Sequence, residues 1–131
     1  MKIFIVLSLL FLSNGLFGQK GIIHVESNTF DNLIDLGNNQ ILDVRTIEEF
    51  EEGSINGSVN IDYWNPEFVS MVKKKFDKNF PLLVYCAGGG RSALAADQLH
   101  KKGFKLIYNL DGGYDSYIDR WIVQSWCYYP I

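Results

Sequence analysis

The sequence predicts an α/β fold: a parallel sheet with helices on both faces. Three observations point to it. Apolar runs of four or five residues alternate with longer amphipathic stretches, as in strand–helix–strand units. The clearest run, Leu82-Leu83-Val84-Tyr85, has no polar alternation, the pattern of a strand buried on both faces. Cap and stop residues fall between the two kinds of segment, with Thr46 ahead of one helical stretch and Gly103 behind another.

In order, Gly21 to Glu26 reads as a first strand. Ser27 or Asn28 caps a short helix through Leu36, with Phe30, Leu33, Ile34 and Leu36 as its apolar face, and Gly37 stops it. Ile41 to Val44 is the second strand. Thr46-Ile47-Glu48-Glu49 is a capping box, so a helix starts at Thr46 and ends at Gly53. Ser58 to Ile61 is a third, short strand. Asn65-Pro66 reads as a cap with proline at the first helical position, opening a helix that turns Phe68, Val69, Val72 and Phe76 inward. Leu82 to Tyr85 is the central strand. A helix from about Ser92 to Lys102 comes next, ended by Gly103. Leu106 to Leu110 is the last strand. Asp111-Gly112-Gly113 leads into a helix carrying Tyr117, Ile118, Trp121 and Ile122.

The chain is organised around the central strand and the loop at its end. Cys86 ends the strand, and Ala87, Gly88, Gly89 and Gly90 lead to Arg91, Ser92 and an alanine-rich helical run. Glycines let the backbone turn its N–H groups inward, and the next helix aims its unpaired N–H groups at the same point. That setting favours a thiolate and makes Cys86 a candidate nucleophile. In a parallel sheet, ligands bind beyond the carboxyl ends of the strands, where Arg45, Cys86 and Asp111 each follow a strand.

The chain has 131 residues, is 47% hydrophobic and 21% charged, and carries a net charge of −3. That is ordinary globular composition with no nucleic-acid footprint. The one basic run, Lys73 to Lys75, reads as a solvated helix face. The N-terminus differs. Met1-Lys2, an apolar run from Ile3 to Leu12, and small and polar residues to Gly18 match a secretory signal peptide over residues 1–18. The expectation is an exported protein, periplasmic or extracellular, whose domain spans residues 20–125 and keeps no membrane span after cleavage. Of the two cysteines, Cys127 reads as a packed or incidental thiol, and a regulatory bridge to Cys86 stays open.

Asp43-Val44-Arg45, Glu49-Phe50, Gly53, Ile55, Gly57-Ser58, Asn60-Ile61, Tyr85-Cys86, Arg91-Ser92 and Asn109-Leu110 with Gly112-Gly113 stand in order over about residues 20–120. Together they resemble a single-domain rhodanese, the thiosulfate sulfurtransferase-like family. The resemblance implies a rhodanese-like fold and a catalytic Cys86 that carries a persulfide. It implies a sulfane-sulfur donor such as thiosulfate, and a thiol or cyanide acceptor that can itself be a thiol protein. The N–H groups from Ala87 through Gly88, Gly89, Gly90 and Ser92 would bind the transferred sulfur. Arg91 would close the loop by bonding backbone carbonyls or Asp43, and would help attract anions. Asp43 would orient the loop and Arg45 would line the entrance, unless Arg45 forms a surface ion pair with Glu48 or Glu49.

No metal or cofactor is implied, and His24 and His100 stand apart from each other. Four residues separate Cys86 from Arg91, one fewer than in the related phosphatases and arsenate reductases. The shorter ring suits a sulfur atom better than a tetrahedral oxyanion. Two other classes stay open: a non-enzymatic persulfide carrier or interaction module of this fold, and, disfavoured by the short loop, a phosphatase or arsenate reductase.

Overall fold

The computed structural model describes residues 21–126; the leader expected over residues 1–18 and the thiol of Cys127 lie outside them. Five parallel strands form one sheet in the order β1-β5-β4-β2-β3. They are β1 (Gly21–Val25), β2 (Gln40–Asp43), β3 (Val59–Asn60), β4 (Leu82–Tyr85) and β5 (Leu106–Leu110). Between and after them run α1 (Ser27–Asp35), α2 (Ile47–Glu52), α3 (Phe68–Lys75), α4 (Gly90–Lys101) and α5 (Gly113–Trp126).

The central place of β4 stems from its side chains. All four of its residues are buried, Leu82 and Val84 toward one face, where Cys86 follows them, and Leu83 and Tyr85 toward the other. On the first face they meet Phe68, Val72 and Phe76 from α3 and its end, and Ala95, Ala96 and Leu99 from α4. On the second they meet Phe30 of α1, with Tyr114 and Tyr117 of α5 packed against the edge of that cluster. Each fully buried Leu or Val contributes about 1.5–3 kcal/mol, so layers on both faces hold β4 in the middle. The Tyr85 hydroxyl accepts from Ile55 N at 3.1 Å and shares a hydrogen bond with Ser58 Oγ at 3.0 Å, which anchors the Gly53–Ser58 turn to the central strand.

The second strand runs one residue earlier than expected, the third is shorter at both ends, and three helix starts differ from expectation. The first helix starts at Ser27 itself, capped by Glu26 with no side-chain bond. The third starts at Phe68: Asn65 Oδ1 accepts Glu67 N at 2.8 Å, so the asparagine closes a turn before the helix and Pro66 stands outside it. The fourth starts at Gly90, two residues before Ser92. The capping box at α2 is present in both directions, Thr46 Oγ1 accepting from Glu49 N and Glu49 Oε2 from Thr46 N.

Candidate active site

Cys86 comes directly after β4 and is only 1% exposed, roofed by the loop that runs to α4. Gly89 N donates to Cys86 Sγ at 3.1 Å. Gly89 makes that contact in a left-handed conformation, φ 99° and ψ −14°, which a residue with a β-carbon adopts only under strain. Of the three consecutive glycines it alone has positive φ, and Gly88 and Gly90 have open space where a β-carbon would stand. Because α4 begins at Gly90, the N–H groups of its first turn have no acceptor within the helix. Ser92 is buried, and its hydroxyl donates to Gly89 O at 3.1 Å, tying the loop to the helix it feeds.

The loop is held from beneath by α5. Tyr114 N donates to Cys86 O at 2.8 Å and Asp115 N to Ala87 O at 3.0 Å. A trans peptide sets its N–H opposite its carbonyl, so docking these two carbonyls on α5 turns the N–H groups of Ala87 and Gly88 away from that helix. Gly112 and Gly113, with φ of 72° and 62°, bring α5 close enough to do this. This support is absent from the expectations drawn from sequence, which saw the double glycine only as a helix start. Asp111 itself points elsewhere. Its carboxylate lies 3.5 Å from His24, whose Nδ1 meets the Asn109 amide at 3.0 Å, at the β1–β5 side of the sheet.

Arg91 bonds neither loop carbonyls nor Asp43, in contrast to what the sequence suggested. Its Nη1 and Nη2 donate to Glu49 Oε2 and Oε1, each at 2.8 Å, in a bidentate pair across from α2. The Arg91 hydrogen bonds, aided by Thr46 N and outweighing the cost of partial burial, lower the Glu49 pKa from its ordinary 4.5 to about 2. In return Glu49 raises that of Arg91, with the nearby Cys86 and Asp62 adding to the effect. Glu49 is a site residue the sequence reading missed. The capping box already explained a glutamate there, and the family pattern gave Glu49 no role of its own.

Arg45 neither lines the entrance nor pairs with Glu48 or Glu49. It is 4% exposed, and Asp43 is fully buried. Arg45 Nη2 donates to Asp43 Oδ2 at 2.7 Å and to Gly53 O at 2.7 Å, while Arg45 N donates to Asp43 Oδ1 at 2.9 Å. Burial opposes the Arg45 charge, but the bonds and charge of Asp43 outweigh it and the pKa is raised. The guanidinium also lies 4.3 Å from the ring centroid of Tyr114, the residue whose N–H holds Cys86 O. Asp43 and Arg45 thus form a buried post under the loop's support.

On the far side of the sheet's rim, Tyr63 N donates to Val44 O at 3.1 Å and Val44 N to Tyr85 O at 3.0 Å. Asp62, Tyr63 and the exposed Trp64 thus leave β3 at the same rim of the sheet as Cys86, two strands away. A groove of about 630 Å³ between α3 and α4, lined by Lys73, Lys74 and Lys102 among others, does not touch the loop. Among the described residues no three His, Cys, Asp or Glu side chains are placed to hold a metal ion.

A strand-end cysteine with a backbone N–H at its sulfur, just beyond the central strand of a parallel sheet, places the chain among α/β proteins with a cysteine loop at the sheet's carboxyl edge. The family model described as "Rhodanese-like domain" matches residues 26–120, and the chain belongs to that family. "Rhodanese-like domain-containing protein 17" of Arabidopsis thaliana is 31% identical over 129 residues, covering 90% of this chain and 82% of that protein. "Thiosulfate sulfurtransferase 16, chloroplastic" of the same plant is 34% identical over 91 residues, 63% of this chain and 76% of that protein. Among solved structures, a rhodanese-like domain protein from Staphylococcus aureus superposes with a TM-score of 0.63 at 29% identity, over 72% of this chain and 90% of that one.

Proposed function

We propose that the chain is an exported sulfurtransferase that moves a sulfane sulfur through a persulfide on Cys86. The observation that carries this reading is the 3.1 Å contact from Gly89 N to Cys86 Sγ inside a loop of four residues before Arg91. The family and its named sulfurtransferase relatives support the same reaction. The Cys86 thiolate attacks the outer sulfur of the donor. One S–S bond forms as another breaks, and the remainder of the donor leaves with the electron pair of the broken bond. An acceptor thiolate then attacks the outer sulfur of Cys86–S–SH in the same way and restores Cys86. Backbone N–H groups stabilise charge on the outer sulfur in both steps, as they would in an oxyanion hole.

The test is the mass of the protein after exposure to a sulfane-sulfur donor. Native protein gains one sulfur atom on Cys86, and cyanide removes it. Cys86→Ser, nearly isosteric, stays folded and gains none. Hydrolysis of an aryl phosphate or reduction of arsenate in place of sulfur loading would replace this reading. Stimulation by a thiol protein far above small thiols would make the chain a carrier to that partner. Export is tested by N-terminal sequencing of material from outside the cytoplasm, which should begin soon after Gly15 or Gly18. An intact Met1 there would remove the leader.

A further inference from the structure

The cations of the described residues divide into two sets. Arg45, Arg91 and Arg120 are each held by a carboxylate, from Asp43, Glu49 and Asp31. The lysines all fall between Lys73 and Lys105, and of these only Lys101 has an ion-pair partner, Asp97. They stand at the ends of α3 and α4 and in the turns that follow, where β4 and β5 begin. Lys105 N donates to Lys78 O at 3.1 Å, so the two turns lie side by side at the amino edge of the sheet. Last-turn lysines complement the dipoles of their helices, which accounts for Lys73 to Lys75 and Lys101. It does not account for Lys78 and Lys105, which stand outside any helix. With 15 Asp and Glu against 12 Lys and Arg in the chain, this is a basic pole on an acidic protein.

The groove of about 630 Å³ between α3 and α4 opens onto this pole. Lys73, Lys74 and Lys102, all exposed, stand at its lower end, and Glu67 is the one carboxylate lining it. Its upper end is at Pro66, two residues beyond the exposed Trp64, at the sheet rim that carries Cys86. A protein lying along the groove therefore reaches that rim. The 8 residues of α3 span about 12 Å, which an extended segment of about four residues covers. A concave wall of lysines suits carboxylates on such a segment, whereas a bilayer surface cannot enter it. We propose that this groove docks the protein that accepts sulfur from Cys86, through an extended acidic segment whose carboxylates meet Lys73, Lys74 and Lys102. The proposal rests on the persulfide reading above and names the acceptor's surface. Docked there, the acceptor presents its thiolate at the rim. The thiolate bonds to the outer sulfur of Cys86–S–SH, the S–S bond to Cys86 breaks, and Cys86 keeps that electron pair as a thiolate.

The experiment uses two synthetic peptides with one cysteine each, one carrying it beside a run of glutamates and its twin beside glutamines. Transfer from sulfur-loaded Cys86 to each is followed by mass, giving KM and kcat. Native protein should use the glutamate peptide at about fivefold lower KM with similar kcat, since exposed charge pairs contribute little each. Added salt should erase the advantage. The triple variant Lys73→Gln, Lys74→Gln, Lys102→Gln should lose it while transferring to free cysteine at the native rate. Lys75→Gln, Lys78→Gln, Lys105→Gln removes the same charge outside the groove and should keep most of the advantage. Comparing variants with native protein cancels the peptides' own thiol reactivity. None of these side chains is buried, so both variants should fold. Equal KM for the two peptides, or equal loss in both triple variants, overturns the proposal and leaves the persulfide reading standing. Equal KM together with pelleting on phosphatidylglycerol vesicles, abolished in the groove variant, would assign the lysines to a membrane instead. Loading of Cys86 by no donor removes both readings.

Discussion

Gly113 lies directly against the backbone of Ala87: a β-carbon on Gly113 would stand 2.3 Å from Ala87 O and 2.6 Å from Cys86 O. These are the two carbonyls that the first turn of α5 receives, so the helix seats the Cys86 loop only because this position has no side chain. Neither partner is a flexible side chain that could swing aside.

Gly113→Ala is therefore expected to cost about 2–4 kcal/mol, combining left-handed strain with displacement of α5, and to slow persulfide formation with it. Gly88→Ala, exposed and with open space around the new methyl, should stay within about 0.5 kcal/mol of native. Urea unfolding of the two variants checks the contrast. Equal stability would show that α5 does not seat the loop.

Replacing Arg45 by Met should destabilise the protein by about 3–5 kcal/mol, because it leaves the fully buried Asp43 carboxylate without its partner. Adding Asp43→Asn to that variant should recover part of the loss. A double-mutant cycle measures the coupling. If the two losses simply add, the pair is not the post that supports Tyr114.

The Glu49–Arg91 pair makes stability depend on acid pH. The Glu49 pKa is lowered in the folded state, from 4.5 to about 2, so its contribution is complete above about pH 4.5 and is lost as pH falls toward 2. The pair is partly exposed, which limits the effect to about 1 kcal/mol. Native protein should exceed Glu49→Gln in unfolding free energy at pH 6, and the gap should narrow below about pH 4.5 and close near pH 2. A gap that stays constant with pH would mean that the Gln variant loses packing, not charge.

Inserting one glycine after Gly89 tests whether ring size selects the reaction. The longer loop can still close, but its donors then sit too far from a terminal sulfur. Sulfur transfer should fall at least about tenfold, a loss of about 1.4 kcal/mol in transition-state stabilisation. Transfer at the native rate would remove the argument from loop length against a phosphatase.

The strands, the helices on both faces and the position of Cys86 were legible because each has a local signature. Leu82–Tyr85 is a run of buried apolar residues, and Thr46 and Glu49 cap α2 within one turn. The roles of the two arginines were not. Arg91 finds Glu49 across 42 residues of sequence, and a capping box gives no sign that its glutamate also binds a distant guanidinium. Arg45 reads as a charged residue after a strand. Only the three-dimensional stacking of Tyr85, Tyr114 and the Gly53 turn around it shows that it is buried. Likewise Gly112-Gly113 reads only as the lead into a helix, since contact with Ala87 depends on how α5 meets β4.

The sheet order also determines when the domain can be assembled. The first strand has one neighbour, β5, with Gly21 beside Leu106 and Val25 beside Leu110. A growing chain therefore holds its first strand unpaired until its last strand has emerged, and a ribosome-bound fragment ending before residue 106 lacks both that ladder and the helix that seats the Cys86 loop. Pairing across so much of the sequence makes folding late and slow compared with a hairpin-built sheet. If the chain is exported as proposed above, that delay would keep it in threadable form until its whole length is available.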